Sequence, residues 1–416
     1  MRKAYLYKAK INKQTEANCD KWIGLCRNLY NQSLEQRIKA YKEKGETISA
    51  YTQMAQLPDL RKSSVEFKAV GSQVLQDVIQ RLDKAYKSFF QRIKRGNNKV
   101  GFPRFKSKNR YNSFTLKQTG WKLEGRYLYI KNIGKFKLFL SRPIEGNAKT
   151  ITIRRSPTNK WFVSFSCDDV PIKEIPASKQ KVGIDVGIKH FLVDSQGNFV
   201  ENPKYFRQSE KLLRRRQRSL CRKKKGSNRR SGARLLIAKT HEKIVNQRKD
   251  FIHKVANSYI NKFQTIYVED LNIKGMVKNR HLSKSISDSS WGMFFNFLDY
   301  KAAEAGRTVI KVPPHNTSQI CSVCGERVQK YLSVRIHNCP FCHTVLDRDH
   351  NAAMNILRLG QSRQTLTDGF QTTVVWKSPE FIQESVNSAL ERRYATVNDI
   401  TVNNIIFANR EARKKM

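Results

Sequence analysis

The chain has 416 residues, 39% of them hydrophobic, which is long enough for two or more cores and too apolar for a disordered protein. Lys and Arg number 80 against 34 Asp and Glu, and the formal charge of +46 far exceeds what solubility requires, so a polyanionic partner is expected, nucleic acid first. No apolar run approaches the roughly 20 residues that span a bilayer, and the opening MRKAYLYKAKINK lacks the h-region of a signal peptide, so no membrane partner is expected and the bacterial cytoplasm or nucleoid is the expected location.

Residues 5–11, YLYKAKI, alternate as a strand does, and from Thr15 the period becomes helical. Trp22, Leu25, Cys26 and Leu29 share one face, as do Leu75, Val78, Ile79, Leu82, Tyr86, Phe89, Phe90 and Ile93, which predicts an amphipathic helical lobe. From about Phe102 strands resume as RYLYI, KFKLFL, TITIRR and KWFVSFSC, broken by Gly125, Gly134 and the SPTN turn. A strand that opens the chain and resumes after helices predicts one β domain interrupted by a helical insertion. A third unit starts near Gln180: strands KVGIDVG and HFLVD, a long basic helical stretch, strand TIYVED, a helix near 289–305, strand TVIKV, a cysteine block and a last helix. Strands alternating with helices make it an α/β layer. Residues 361–416 carry no pattern that places them.

Four of the eight cysteines stand as two CxxC pairs, Cys321/Cys324 and Cys339/Cys342, separated by fourteen residues; Cys19, Cys26, Cys167 and Cys221 are scattered. Four soft thiolates at this spacing predict one structural zinc with no open position for water, and His315, His337 and His343 are then surplus as ligands. Asp185 ends the apolar run VGI and Glu269 ends TIYV, while Asp347 and Asp349 precede NAAMNIL. Carboxylates at the ends of buried strands are costly unless paired, although each of them can also be read as a turn or helix cap. Hard oxygen ligands from two strands and a helix are able to hold two Mg ions about 4 Å apart for in-line phosphodiester displacement. Lys211 to Lys249 holds sixteen Lys or Arg against one Glu. Its clusters Arg214, Arg215, Arg216 and Lys223, Lys224, Lys225 are candidate phosphate contacts, and so are Arg104 and Lys106 in the aromatic and basic stretch FPRFKSKNRYNSFT.

Taken together, GIDVGIKHFLVDSQG, YVEDLNIKGM, TSQICSVCG, CPFCHTVLDRDHNAAMNIL and FPRFKSKNRYNSF resemble TnpB, the nuclease family encoded by insertion sequences and related to type V CRISPR effectors. The resemblance is specific over about 100–357, rests on layout alone before that, and is absent after about 360. It implies a multi-domain α/β protein in which a RuvC-like, RNase H-type nuclease domain (179–310 and 345–360) carries an inserted zinc knuckle (311–344). A β-barrel-like wedge domain (1–14 and 102–178) would be interrupted by a helical recognition lobe (15–101), with a tail at 361–416. The implied acidic triad is Asp185, Glu269 and Asp349, since the family motif sets the last acid two residues before NAA. The implied cofactors are a pair of Mg ions, one structural Zn and a guide RNA. The implied partner is a double-stranded DNA target next to a short motif, bound by a monomer or homodimer, with the basic 211–249 segment and loop 275–290 as a candidate lid. A nuclease-inactive RNA-guided regulator and a guide-independent RuvC-type nuclease are the competing readings.

Overall fold

In KAYLYKAK the side chains of Tyr5, Tyr7 and Ala9 are buried and those between face solvent, so β1 (Lys3–Lys10) is a strand with one wet face. The computed structural model describes residues 1–96, 100–117, 119–331 and 333–369. Asn12 caps α1 (Lys13–Lys44), its side chain accepting from the Thr15 N–H at 2.7 Å, and Gly45 ends the helix in the left-handed conformation. The short helices α2 (Ala50–Ala55), α3 (Leu57–Ser63) and α4 (Val65–Ala69) lead to α5 (Ser72–Lys94). Six strands follow: β2 (Ser113–Lys117), β3 (Trp121–Glu124), β4 (Tyr127–Ile130), β5 (Gly134–Phe139), β6 (Asn147–Arg155) and β7 (Trp161–Asp168). They join β1 in an antiparallel sheet ordered β2-β6-β7-β1-β5-β4-β3, so the strand that precedes the helices lies in the middle of the sheet that follows them.

Helices and sheet share one core. Trp22 of α1 meets Phe114 of β2 with ring centroids 5.5 Å apart, and Leu75, Val78, Ile79 and Leu82 of α5 belong to the same buried cluster as Phe136 and Phe165. The apolar stripe of α5 was expected to run to Ile93, yet burial stops at Leu82; Phe90 is 43% and Ile93 44% exposed. Past Leu82 the helix meets a loop residue instead of the sheet, as Tyr86 and Phe89 touch the Phe102 ring edge-on.

The second layer begins with β8 (Lys181–Val186), β9 (His190–Asp194) and β10 (Phe199–Glu201), continues through α6 (Tyr205–Cys221) and α7 (Asn228–Lys262) to β11 (Thr265–Glu269), and passes α8 (Ile273–Met276), α9 (Ser283–Ser289) and α10 (Trp291–Ala305) to β12 (Thr308–Val312). The sheet order is β10-β9-β8-β11-β12, with β8, β11 and β12 parallel and β9 and β10 in antiparallel register. Val182 and Ile184 turn to one face, into a core made with Ile252, Ala256 and Ile260 of α7 and Phe294 and Leu298 of α10. The short hairpin β13 (Ile336–Asn338) and β14 (Val345–Asp347) then leads into α11 (Arg348–Gly369). Residues 1–357 form one compact unit and 358–416 another; of the second, the described residues are the last turns of α11, and the expected tail lies outside the described residues from 370 on.

Gly183 faces away from Val182, and there α11 comes down on the sheet. A Cβ at residue 183 would stand 2.2 Å from the Ala353 carbonyl oxygen and 2.6 Å from the Leu357 nitrogen, both of them backbone atoms. Only glycine allows this approach, and Ala352 and Ala353 are buried on the helix side of it. Gly183→Ala is therefore expected to destabilise the chain by about 1–3 kcal/mol through overpacking, read as a drop in thermal midpoint. An unchanged midpoint would show that the helix yields freely.

Candidate active site and zinc knuckle

Ile184 is in register with Val268 across parallel strands, so the next residues, Asp185 and Glu269, leave β8 and β11 side by side at the carboxyl ends of the strands. Open α/β sheets place their ligand crevices there. Two residues beyond Asp185, a Cβ at Gly187 would lie 3.8 Å from Asp349 Oδ2, which puts the third acid over the end of β8. Asp347 takes the capping role, its Oδ1 accepting from the N–H groups of Asp349 at 2.8 Å and His350 at 3.3 Å. Asp349, 7% exposed, is left to the site.

Burial, and then the charges of Glu269 and Asp349, push the Asp185 carboxyl well above the usual range, against a smaller opposing pull from Arg348. Burial also raises Glu269, partly offset by the Thr317 hydroxyl, which donates to its Oε1 at 2.6 Å. Asp349 Oδ1 accepts from Arg348 Nη2 at 3.2 Å, and Arg335 Nη1 lies 3.8 Å from its Oδ2. The structure thus gathers the three acids into one electrostatic group, but their oxygens do not converge as the cysteine sulfurs do. Among the described residues, the only set of three or more such groups with ligand atoms within 4.8 Å of one another is Cys321, Cys324, Cys339 and Cys342.

Those sulfurs fit zinc. Cys321 and Cys342 are 3.6 Å apart and Cys324 and Cys339 3.5 Å, near the roughly 3.8 Å edge of a tetrahedron with ~2.3 Å Zn–S bonds. Each CxxC folds as a tight turn: the Gly325 N–H donates to the Cys321 carbonyl and the His343 N–H to the Cys339 carbonyl, and both Gly325 and His343 are left-handed. Hydrogen bonds with Thr344 draw the Cys342 thiol down to about 6, toward the thiolate a metal requires.

The knuckle is fastened to the helix that carries Asp349 by two residues the sequence reading missed. Asn351 accepts from the Ser322 N–H at 2.9 Å and donates to the Ile320 carbonyl at 2.8 Å. One turn on, Asn355 donates to the carbonyls of Thr317 and Ile320 at 2.9 and 2.7 Å. Both asparagines are almost fully buried. Two asparagines four apart in an otherwise apolar helical run were a legible signal, because buried amides need partners.

The basic candidates divide. α6 and α7 form a hairpin on which Arg215, Lys224 and Lys225 are exposed and Lys223 is partly so. Arg214 pairs with Glu210 at 2.7 Å, and Arg216 turns inward to the Leu236 carbonyl and the Thr240 hydroxyl, bracing the hairpin instead of facing solvent. Arg104 is exposed, and Lys106 sets its ammonium 5.5 Å from the Tyr30 ring centroid. Loop 275–290 is tied down by Asp288, which accepts from the Phe206 and Arg207 N–H groups at the start of α6 and from Arg248 of α7.

Residues 164–280, which hold Asp185 and Glu269, match a family model described as "Probable transposase" (OrfB_IS605), and residues 291–356, which hold the four cysteines and Asp349, match "Cas12f1-like, TNB domain". Residues 1–46 match a "Helix-turn-helix domain" model, although in the structure they form one strand and one continuous helix. A Streptomyces pristinaespiralis protein named "Putative RNA-guided DNA endonuclease" is 31% identical over 380 residues, 89% of this chain and 92% of the relative. An Escherichia coli (strain K12) protein named "Putative RNA-guided DNA endonuclease InsQ" is 29% identical over 86% of this chain and 92% of its own length. The solved mini-RNA-guided endonuclease CRISPR-Cas_phi3 aligns over 86% of this chain and 92% of its own at 10% identity, with a TM-score of 0.45. The matched models thus join a region of the probable-transposase type to a cysteine-bearing Cas12f1-like TNB domain in one chain. With a relative of this identity and coverage, the chain belongs to the TnpB family of RNA-guided DNA endonucleases.

Two outcomes follow from the site. A carboxyl whose folded pKa is raised stabilises the fold below its unfolded value, and that stability is lost as pH rises through the folded one. In EDTA at neutral pH, Asp185→Asn should therefore raise the thermal midpoint, with the gain shrinking toward acidic pH; a lower midpoint would contradict the placement of the three charges. Elemental analysis should find one zinc per chain in the wild type and little in Cys339→Ser, whose first unfolding transition should fall. Wild-type zinc content in that variant would remove Cys339 from the ligand set.

Proposed function

We propose that this chain cuts double-stranded DNA at one acidic site, directed by a guide RNA that pairs with the target beside a short motif. The observation that carries the reading is the level exit of Asp185 and Glu269 from neighbouring parallel strands with Asp349 above them, in a chain related over nearly its whole length to proteins named for guided DNA cleavage. The mixed order β10-β9-β8-β11-β12, with acids at the ends of its two central strands and a third on the last helix, supports an RNase H-type nuclease domain of the RuvC kind at 179–310 and 345–360. We assign 1–14 and 102–178 as the wedge, 15–101 as the recognition lobe and 311–344 as the zinc-bearing segment that meets target nucleic acid.

Asp185, Glu269 and Asp349 are the residues that would hold divalent cations, and their hard oxygens suit Mg. The Asp185 carboxyl, raised by burial and by the charges of Glu269 and Asp349, sits where a dication would compensate the crowded negative charge. Such a pair of ions, when bound, supplies charge neutralisation at the phosphodiester and an acidified water. Thr317 fixes Glu269, Arg335 and Arg348 fix Asp349, and the exposed cations of the α6–α7 hairpin hold the backbone of the nucleic acid. Base pairing reads the sequence, so the protein needs a charged channel more than base-specific contacts. All three acids are present, which speaks against a nuclease-inactive regulator.

The test is expression with the flanking DNA of the chain's own locus. A discrete RNA ending in variable sequence should co-purify, and Asp185→Ala or Glu269→Ala should lower cleavage of a matched duplex by roughly 10³-fold or more while binding of that duplex persists. Random RNA fragments alone, or binding lost together with cutting, would overturn the reading.

A further inference from the structure

The loop that meets the far end of α5 builds a feature that the nuclease reading leaves unused. Residues 101–106, GFPRFK, run from the last turns of α5 to the middle of α1, at Tyr30 and Asn31, and enclose a cleft of about 250 Å³. Three aromatic rings, Tyr30, Phe102 and Phe105, and four cations, Arg92, Arg104, Lys106 and Arg110, line it. No carboxylate does, and none of these cations has an ion-pair partner among the described residues. Phe102 is 44% and Phe105 52% exposed, an unusual outlay of large apolar rings in so charged a protein.

The cleft is held in shape before anything binds. Asn31 of α1 accepts from the Lys106 N–H at 2.8 Å and donates to the Lys106 carbonyl at 3.0 Å, gripping the loop as a neighbouring strand would. Phe102 is wedged edge-on between Tyr86 and Phe89, with centroids 5.4 and 5.3 Å away. The Arg110 N–H donates to the Ser107 carbonyl and closes the turn behind them.

The exposed rings of Phe102 and Phe105, next to cations without counter-charges, match a nucleotide, with its base on the rings and its phosphate on the guanidinium groups. An acidic peptide would satisfy the cations and leave the rings in water. The volume lies under the roughly 300 Å³ at which drug-sized pockets begin, which suits one base and not a duplex. A paired base hides its faces in the stack, so the occupant is unpaired. In a guided reaction the only unpaired DNA is the strand the guide displaces, and it exists only after the duplex opens, whereas the RNA carries loops and ends throughout and so meets a cleft already shaped before DNA arrives. We propose that the cleft takes one unpaired, splayed nucleotide of the guide RNA, its base stacked on Phe105 and Phe102 and its phosphate held by Arg104 and Arg110. This rests on the guided reading above.

The test is ultraviolet cross-linking of the full-length complex as purified with its own RNA, then after addition of matched duplex DNA, with mass spectrometry of nucleotide–peptide adducts. A ribonucleotide adduct within 101–110 is expected. A deoxyribonucleotide there would assign the cleft to a displaced DNA strand and overturn the RNA occupant. Ribonucleotide adducts confined to other peptides, such as the α6–α7 hairpin, would overturn the cleft and leave the guided reading standing. Protein that carries no RNA would bring down both. On protein stripped of RNA at high salt, Phe105→Ala should keep the parent's thermal midpoint yet bind the re-added co-purifying RNA roughly 5- to 100-fold more weakly, and Phe105→Trp should restore binding. Equal affinity of Phe105→Ala and wild type would also refute the stacked base.

Discussion

The backbone of α11 rests on β8 at Gly183, with the Ala353 carbonyl standing where a side chain would otherwise be. Asp349 lies one turn before Ala353 and Asp185 two residues after Gly183 on the same face of the strand, so this single approach sets how far apart the two acids are. Glu269 needs no such device. It is carried to the same level by the hydrogen-bonded register of β11 against β8. A bulkier residue at 183 would lift the helix and Asp349 with it, while leaving the other two acids in place.

The zinc knuckle matters through the same helix. Between β12 and α11 the chain has little apolar material to bury; Val323, Tyr331, Ile336, Phe341 and Val345 are all exposed. A segment like that folds by ligating a metal, not by burying a core. Asn351 and Asn355 transmit its order to α11 through hydrogen bonds to Ile320, Ser322 and Thr317, and Thr317 also holds Glu269. The knuckle stands close to the carboxylates because the loop leading into it supplies the partners of one acid and the clamp of the helix that bears another.

Charge divides the molecule into two kinds of surface. At the acidic site three carboxylates work against one another, which suits cation binding and costs stability without it. Elsewhere Lys and Arg dominate, but not every basic residue faces outward. Arg216 braces the α6–α7 hairpin and Arg37 is buried against Gln53, Asp83 and the Tyr86 ring. Composition reports the sum of such residues, and only packing separates those that meet solvent from those that hold the fold.

The four-cysteine set, the acids ending two apolar runs and the strand–helix alternation could all be read from the sequence, because ligand spacing and hydrophobic period are local properties of the chain. So could the separation of β1 from β2–β7, since a strand pattern interrupted by helical periods survives in one dimension. The strands missed at Ser113–Lys117 and Trp121–Glu124 are short, and SFTLK and WKLE became strands by pairing with β6 and β4. Which aspartate caps α11 and which faces the site was open by spacing alone, and the hydrogen bonds from Asp347 to the N–H groups of residues 349 and 350 decide it. The end of burial at Leu82, the inward turn of Arg216 and the asparagine clamp were likewise decided by tertiary contacts. A sequence states what each residue prefers, and contacts between distant segments select which of those preferences is met.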